Sequence, residues 1–213
     1  MTYEPKNSLH WLGHASFRIE GNGLVIYLDP WEIRNPVKAD LILITHDHFD
    51  HCSPEDVRKI SKPDTRIITV KPAAQKLGGK VHIVQTGETL QTRDIQIETI
   101  PAYNINKFRS PGHPFHPKNA GYAGFILTID EERIYHAGDT DLIPEMKGLS
   151  VDIALLPVSG IYVMTAKEAA QAAETIRPKL AIPMHIGKGI GEMNNASRFA
   201  ELAGIPVSIL PIE

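Results

Sequence analysis

The sequence predicts an α/β protein in which strands of mixed sheets are covered by helices. Short apolar runs bounded by turn residues recur along the 213 residues, as expected of strands. Helix-start signals appear between these runs from Ser53 onward. The run Leu41-Ile42-Leu43-Ile44 is apolar throughout, which is typical of a strand covered on both faces. We therefore expect layers, with two mixed sheets packed face to face and helices outside.

Strands dominate the first part of the chain. Gly21-Asn22-Gly23 predicts a hairpin turn, because glycine and asparagine tolerate the positive φ angles of such turns. The predicted strands are residues 10–12, 16–19, 24–28, 41–44, 66–70, 81–84, 95–100, 124–129, 133–136, 153–157, 180–183 and 207–210.

Helices are predicted where capping residues precede a change in pattern. Ser53, Pro54 and Asp56 combine a serine cap, a proline at the first helical position and an acidic residue that completes a capping box. The other predicted starts are Pro72, Thr165 and Asn195, with the helix from Thr165 ending before Pro178 and the one from Asn195 ending near Gly204.

Length and charge limit the classes of protein that remain. Residues 1–213 suit a single domain, and the net charge of −3 gives no electrostatic footprint for nucleic acid. One cysteine rules out a disulfide framework within the chain. No apolar run is long enough to span a bilayer, and no apolar stretch follows a basic start. We expect a cytoplasmic protein that binds neither nucleic acid nor a membrane.

The run His46-Asp47-His48-Phe49-Asp50-His51 is the strongest chemical signal, and it lies between a buried strand and a capped helix. In an extended segment, residues two apart point the same way, so His46 and His48 can reach one point. A turn would bring Asp50 and His51 to a neighbouring point. Imidazole nitrogens and a carboxylate oxygen suit zinc, and also manganese, iron or nickel.

Two later segments offer further ligands at strand ends. Asp139 follows Gly138, whose freedom at positive φ permits a sharp turn. His185 follows the predicted strand at residues 180–183. Asp139 has two oxygens, enough to bridge two ions.

Together with Gly13-His14-Ala15-Ser16-Phe17 and Leu28-Asp29-Pro30, these motifs resemble the metallo-β-lactamase superfamily. The similarity is greatest to its branch of small metal-dependent hydrolases, which includes L-ascorbate-6-phosphate lactonase-like proteins. The resemblance implies a four-layer αββα sandwich with the site at one edge. It also implies that His46 and His48 hold a first metal, Asp50 and His51 a second, that Asp139 bridges, and that His185 completes the second site.

One position departs from the family pattern. Where another histidine is expected, the chain has Tyr103, followed by Asn104. His116 and His14 are candidates for the missing ligand or for contacts with the substrate. Whether one ion or two bind therefore stays open at this stage.

The implied activity is hydrolysis of an ester, lactone, amide or phosphodiester, with water activated by the metal. Asp50 is the expected catalytic residue, since it would orient that water or carry its proton. Tyr103, Asn104, His116 and Lys118 are of the kinds that contact an anionic small-molecule substrate. The alternative is a metal-binding or regulatory protein of the same fold with little or no turnover. The oligomeric state is not readable from the sequence.

Overall fold

Two six-stranded mixed sheets form the core of the structure, a computed structural model that describes residues 3–213. In the first sheet the strands lie in chain order, with β1 to β3 antiparallel and β3 to β6 parallel. Its strands are β1 Ser8–Trp11, β2 Phe17–Gly21, β3 Leu24–Leu28, β4 Leu41–Ile44, β5 Arg66–Val70 and β6 His82–Val84.

The second sheet has the order β14-β13-β12-β11-β8-β7, and its strands β12, β13 and β14 are parallel. A separate two-stranded hairpin, β9 with β10, lies outside both sheets. The bounds are β7 Thr89–Thr92, β8 Ile95–Pro101, β9 Phe108–Ser110, β10 His113–Pro114, β11 Ala123–Ile129, β12 Glu132–His136, β13 Ile153–Pro157 and β14 Leu180–Met184.

Four helices cover the outer faces of the sheets. They are α1 Pro54–Ile60, α2 Lys71–Leu77, α3 Ala166–Ile176 and α4 Asn194–Leu202, with 3-10 turns at Lys118–Ala120 and Pro144–Met146. None of the helices described between residues 3 and 213 is long and apolar enough to cross a membrane.

The alternation of side chains along β4 shows why the layers form. Leu41 and Leu43 belong to the apolar cluster that the two sheets share, whereas Ile42 and Ile44 belong to the cluster beneath the first two helices. Successive side chains of a strand point to opposite faces, so a strand buried on both faces must be apolar throughout. The predicted sandwich of two sheets between helices is confirmed.

Capping residues set the helix starts, with two corrections. Thr165 caps α3 in a capping box with Glu168, as the sequence favours. At α1, Ser53 accepts a hydrogen bond from the backbone N–H of Asp56, but the Asp56 carboxylate accepts from the backbone N–H groups of Glu32 and Ile33 instead of completing a box. The cap predicted at Asn195 is wrong, since α4 already contains that residue.

Strand predictions fail where pairing partners, not local pattern, decide the structure. Val207 makes only an isolated bridge to Ala181, so the strand predicted at residues 207–210 is not formed. Strands β7, β9 and β10 lack a clear apolar pattern, and the sequence did not predict them. Of these, the β9–β10 hairpin lies beside the functional site.

Candidate metal centre

The run from His46 to His51 turns sharply at the carboxyl end of β4. The backbone N–H groups of His51 and Cys52 both donate to the carbonyl of His48, at 3.1 and 2.8 Å. This turn reverses the chain, so Asp50 and His51 point back toward the strand end. Ser53 then caps α1, which fixes the exit of the loop.

A first ligand group consists of His46, His48, His116 and Asp139, whose ligand atoms all lie within 4.8 Å of one another. Nδ1 of His48 lies 3.1 Å from Nε2 of His46 and 3.2 Å from Nε2 of His116. His116 enters from the loop after the β9–β10 hairpin, so the first group contains a third histidine although Tyr103 stands at the position where the family pattern has one.

A second ligand group consists of His14, Asp50, His51 and His185, also within 4.8 Å of one another. His14 lies in the turn between β1 and β2, and His185 follows β14. Their backbones are joined, because the N–H of His185 donates to the carbonyl of His14 at 3.0 Å and the N–H of His14 donates to the carbonyl of Ile186 at 3.0 Å. Both histidines adopt positive φ angles, 54° and 61°, a costly conformation held by these contacts.

Asp139 lies between the two groups. Its Oδ2 is 3.2 Å from Nε2 of His116 and 3.1 Å from Nε2 of His185, while its Oδ1 is 3.2 Å from Nε2 of His51. Gly138 allows this position, with φ at 64° and a site for a Cβ only 3.1 Å from the Cβ of Thr45. The carboxylate therefore faces ligands of both groups.

Asp29, at the end of β3, fixes two of these histidines from behind. Its Oδ2 lies 2.7 Å from Nδ1 of His51 and accepts a 2.6 Å hydrogen bond from the hydroxyl of Thr45. The same hydroxyl lies 2.9 Å from Nδ1 of His46, so it accepts the proton of that nitrogen. In both His46 and His51 the Nδ1–H group thus donates a hydrogen bond, and the lone pair of Nε2 faces the centre.

Two further contacts orient His116 and His185 in the same way. Nδ1 of His116 lies 2.9 Å from Oδ1 of Asn104, whose amide donates to Asp141 at 3.2 Å. Nδ1 of His185 lies 2.9 Å from the hydroxyl of Ser159. Sequence reasoning missed the orienting roles of Asp29, Asn104 and Ser159, because hydrogen bonds that join distant segments leave no local pattern.

Tyr103 is not part of either ligand group. Its hydroxyl donates a 2.9 Å hydrogen bond to Glu145 and lies 3.3 Å from Nζ of Lys118. The neighbouring Asn104 is buried behind His116, which makes it a support for that histidine. The Tyr103 hydroxyl is thus held by Glu145, and His116 is the third histidine of the first group.

Several buried polar atoms at the centre have no hydrogen-bond partner among the described residues. Nε2 of His51, Oδ1 of Asp139 and Nδ1 of His14 are three of them. Buried polar groups are nearly always satisfied, so orphaned nitrogen and oxygen atoms that converge on one place indicate a missing partner. A divalent cation fits, since the donors are those that zinc prefers.

The ionisation of the cluster supports the same fit. Burial, and then the positive charge of His51, hold the pKa of His46 well below its usual value. Burial alone would raise the pKa of Asp139, but the surrounding histidines lower it well below its usual value. Burial opposes protonation of His51, yet Asp139 and Asp29 raise its pKa well above the usual value. Neutral imidazole and ionised carboxylate are the forms that bind metal, and a cation would take the place of the His51 proton.

Comparisons with known proteins also indicate a metal-dependent hydrolase. A family model described as a beta-lactamase superfamily domain matches residues 8–185. A UPF0173 metal-dependent hydrolase of Caldivirga maquilingensis is 35% identical over 83% of this chain and 81% of its own.

Solved structures match along nearly the whole chain. A protein of Parabacteroides distasonis with a known crystal structure is 34% identical, with a TM-score of 0.86 over 100% of this chain and 98% of its own. Igni18, a metallo hydrolase from Ignicoccus hospitalis, is 26% identical, with a TM-score of 0.75 over 96% of this chain and 94% of its own.

Proposed function

Because this chain belongs to the metallo-β-lactamase superfamily and is a metal-dependent hydrolase of the UPF0173 family, we propose that it binds two divalent cations and hydrolyses a small-molecule ester, lactone, amide or phosphodiester. The observation that carries this proposal is the position of Asp139 between two complete ligand groups. One carboxylate that faces both groups is the arrangement expected of a bridging ligand.

We assign the ligands by group. His46, His48 and His116 would hold the first cation, and Asp139 would be a ligand that both cations share. Asp50, His51 and His185 would hold the second cation. His14 is an additional ligand of that cation, since its ring faces the group and its Nε2 lies 3.1 Å from Oδ2 of Asp50, another member of the group.

Divalent cations bound at this place would lower the pKa of water to about 7. They would also polarise the carbonyl or phosphoryl oxygen of the bond that is hydrolysed. Asp50 is the candidate catalytic residue. Burial would raise its pKa, but hydrogen bonding by His14 and the charge of His51 lower the pKa to about 2, so the carboxylate is ionised at neutral pH. It lines the cavity beside the centre and is therefore able to orient a water molecule or accept its proton.

Zinc is the proposed metal because the donor set is rich in imidazole, with manganese, iron and nickel as the other outcomes of elemental analysis. The proposed partner is a small molecule, because a net charge of −3 does not favour nucleic acid. A single buried cysteine fits a reducing compartment such as the cytoplasm.

Elemental analysis of the purified protein, followed by hydrolysis assays in the metal found, tests the proposal. We expect about two metal ions per chain and turnover of at least one of the four bond classes. Asp50→Asn should reduce kcat by about 100-fold or more, whereas Asp64→Asn, an exposed control paired with Arg93, should leave it unchanged. A protein that binds fewer than one ion per chain under metal-replete conditions would contradict the assignment.

A further inference from the structure

The metal centre borders a cavity of about 420 Å³, a size that suits a small organic molecule. His48, Asp50, His116 and Asp139 form its floor. The rest of its lining comes from four residues that no ligand group uses, Phe49, Arg109, Phe115 and Tyr162. These four side chains therefore define what kind of molecule the cavity accepts.

Aromatic rings form the walls of the cavity. Phe49 is 70% exposed although it lies between two candidate ligand residues, and Tyr162 is 43% exposed. The Phe115 ring meets the Tyr162 ring edge to face at a centroid distance of 4.6 Å. Tyr162 also has a φ of 67°, a strained conformation for a bulky residue. Exposed rings gathered at the mouth of a reactive site indicate contact with an apolar part of the substrate.

Arg109 is the cation of this cavity that has no anionic partner. Its guanidinium lies 5.6 Å from the centroid of the Phe115 ring and makes no ion pair or hydrogen bond with any residue between 3 and 213. The nearby lysines differ, because Lys107 pairs with Glu168 at 2.9 Å and Lys118 pairs with Glu145 at 2.8 Å.

The hairpin that carries Arg109 is anchored on both sides. Asn106 and Lys107, just before β9, donate to the Glu168 carboxylate at the start of α3. After β10, the backbone N–H of His116 donates to Oδ1 of Asn104 at 2.8 Å. The fold thus places Arg109, whose side chain is exposed, at the edge of the cavity beside the metal centre and leaves its donors free.

We propose that the substrate of this site carries an apolar, ring-sized group and an oxyanion, a carboxylate or a phosphate, besides the bond that is hydrolysed. The apolar group packs among Phe49, Phe115 and Tyr162, and the oxyanion accepts hydrogen bonds from Arg109. A planar guanidinium with five donors matches such an oxyanion in a bidentate geometry. The inference rests on the proposed hydrolytic function and adds the chemical class of its substrate.

Calorimetric titration of the metal-loaded full chain with four probes tests this class. The probes are 2-naphthoate, 2-naphthylphosphonate, the uncharged 2-naphthamide, and propionate, which has the charge without the ring. We expect at least one naphthyl anion to bind about tenfold more tightly than both naphthamide and propionate. A carboxylate or phosphonate preference identifies which oxyanion the site takes.

Variants separate the contribution of Arg109 from direct binding of the anion to metal. Arg109→Gln should reduce the preference for the naphthyl anion over naphthamide about tenfold, and Arg109→Lys should restore part of it. Arg198→Gln, at an exposed site on α4, is the matched control and should change nothing. Phe115→Ala should weaken naphthoate and naphthamide alike.

Two results would overturn the inference: an anion-to-amide preference that is the same in wild type and Arg109→Gln, or a propionate affinity equal to that of the more tightly bound naphthyl anion. Metal content, measured on every sample, keeps this failure apart from failure of the proposed function. Protein that holds its metal but shows no Arg109 effect refutes only the substrate class. Protein that cannot be loaded with metal refutes the hydrolytic centre itself.

Discussion

The two ligand groups differ in how deeply they are buried. In the second group His14, His51 and His185 are fully buried, and only Asp50 reaches the cavity. In the first group His48 is half-buried, and it borders the cavity together with His116 and Asp139. The same ligand chemistry thus serves a closed position and an open one. On the proposed assignment, the closed group would retain its cation, and the open group would present its cation to a substrate.

The groups also differ in the origin of their ligands. The second group closes across the turn between β1 and β2 and the end of β14, which backbone hydrogen bonds join. The first group closes only when the loop after the β9–β10 hairpin delivers His116. We therefore expect the first cation to depend on a surface hairpin, and the second on the packed sheets.

The largest effect is expected at the residue that the groups share. Asp139→Ala should reduce the metal content from about two ions per chain to fewer than one, because both cations would lose a ligand and four histidines would lose the Asp139 carboxylate that faces them. Metal analysis after dialysis measures this, with Asp64→Ala as the exposed control. If Asp139→Ala retains two ions per chain, Asp139 does not bridge the two cations.

A smaller loss is expected when only the open group is changed. His116→Ala should release about one ion per chain, because the second group keeps its ligands. His113→Ala is a matched control. His113 lies in the hairpin just before His116, is exposed and belongs to neither group. If His116→Ala loses both ions, the two groups are not independent and the contrast between open and closed positions fails.

The support behind the open group should matter less than the ligand itself. Asn104→Ala removes the hydrogen-bond acceptor for Nδ1 of His116. The variant should bind the first cation about 10-fold to 100-fold more weakly, which is the usual effect of losing such a partner. Competition with a chelator measures this affinity. The matched change behind the closed group is Ser159→Ala, next to His185, which should lower the affinity for the second cation only. An equal loss of affinity for both cations in either variant would contradict the assignment.

Local sequence patterns predicted only those parts of the centre that lie in short, recognisable segments. The run from His46 to His51 was visible because one short segment supplies two of the four residues of each group. Asp139 and His185 were visible as polar residues at strand ends. His116 was only one of two candidates for the missing ligand. Its position depends on the hydrogen bond that its backbone N–H donates to Oδ1 of Asn104, twelve residues earlier. It also depends on a hairpin that the sequence pattern did not predict.

The same limit explains why Arg109 and Phe115 were not predicted as parts of the cavity wall. They meet because β9 and β10 pair across a turn, and Tyr162 joins them from a segment between β13 and α3. In the sequence, an isolated arginine and scattered aromatics look like ordinary surface and core residues. The fold class was predictable because apolar alternation repeats in every layer, whereas Val207 shows that an apolar run alone does not make a strand without a partner to pair with.

The smallest effect is expected at Tyr103, the residue that replaces the family's histidine. Its hydroxyl is bound to Glu145 and lies near Lys118, away from both ligand groups, so Tyr103→Phe should leave the metal content unchanged. The loss of one partly exposed hydrogen bond should lower the free energy of unfolding by about 1 kcal/mol. Metal analysis and chemical denaturation measure the two quantities. Tyr103→His is the sharper form of this test, because a gain in affinity for the first cation would mean that position 103 does reach the centre and that His116 does not fully replace it.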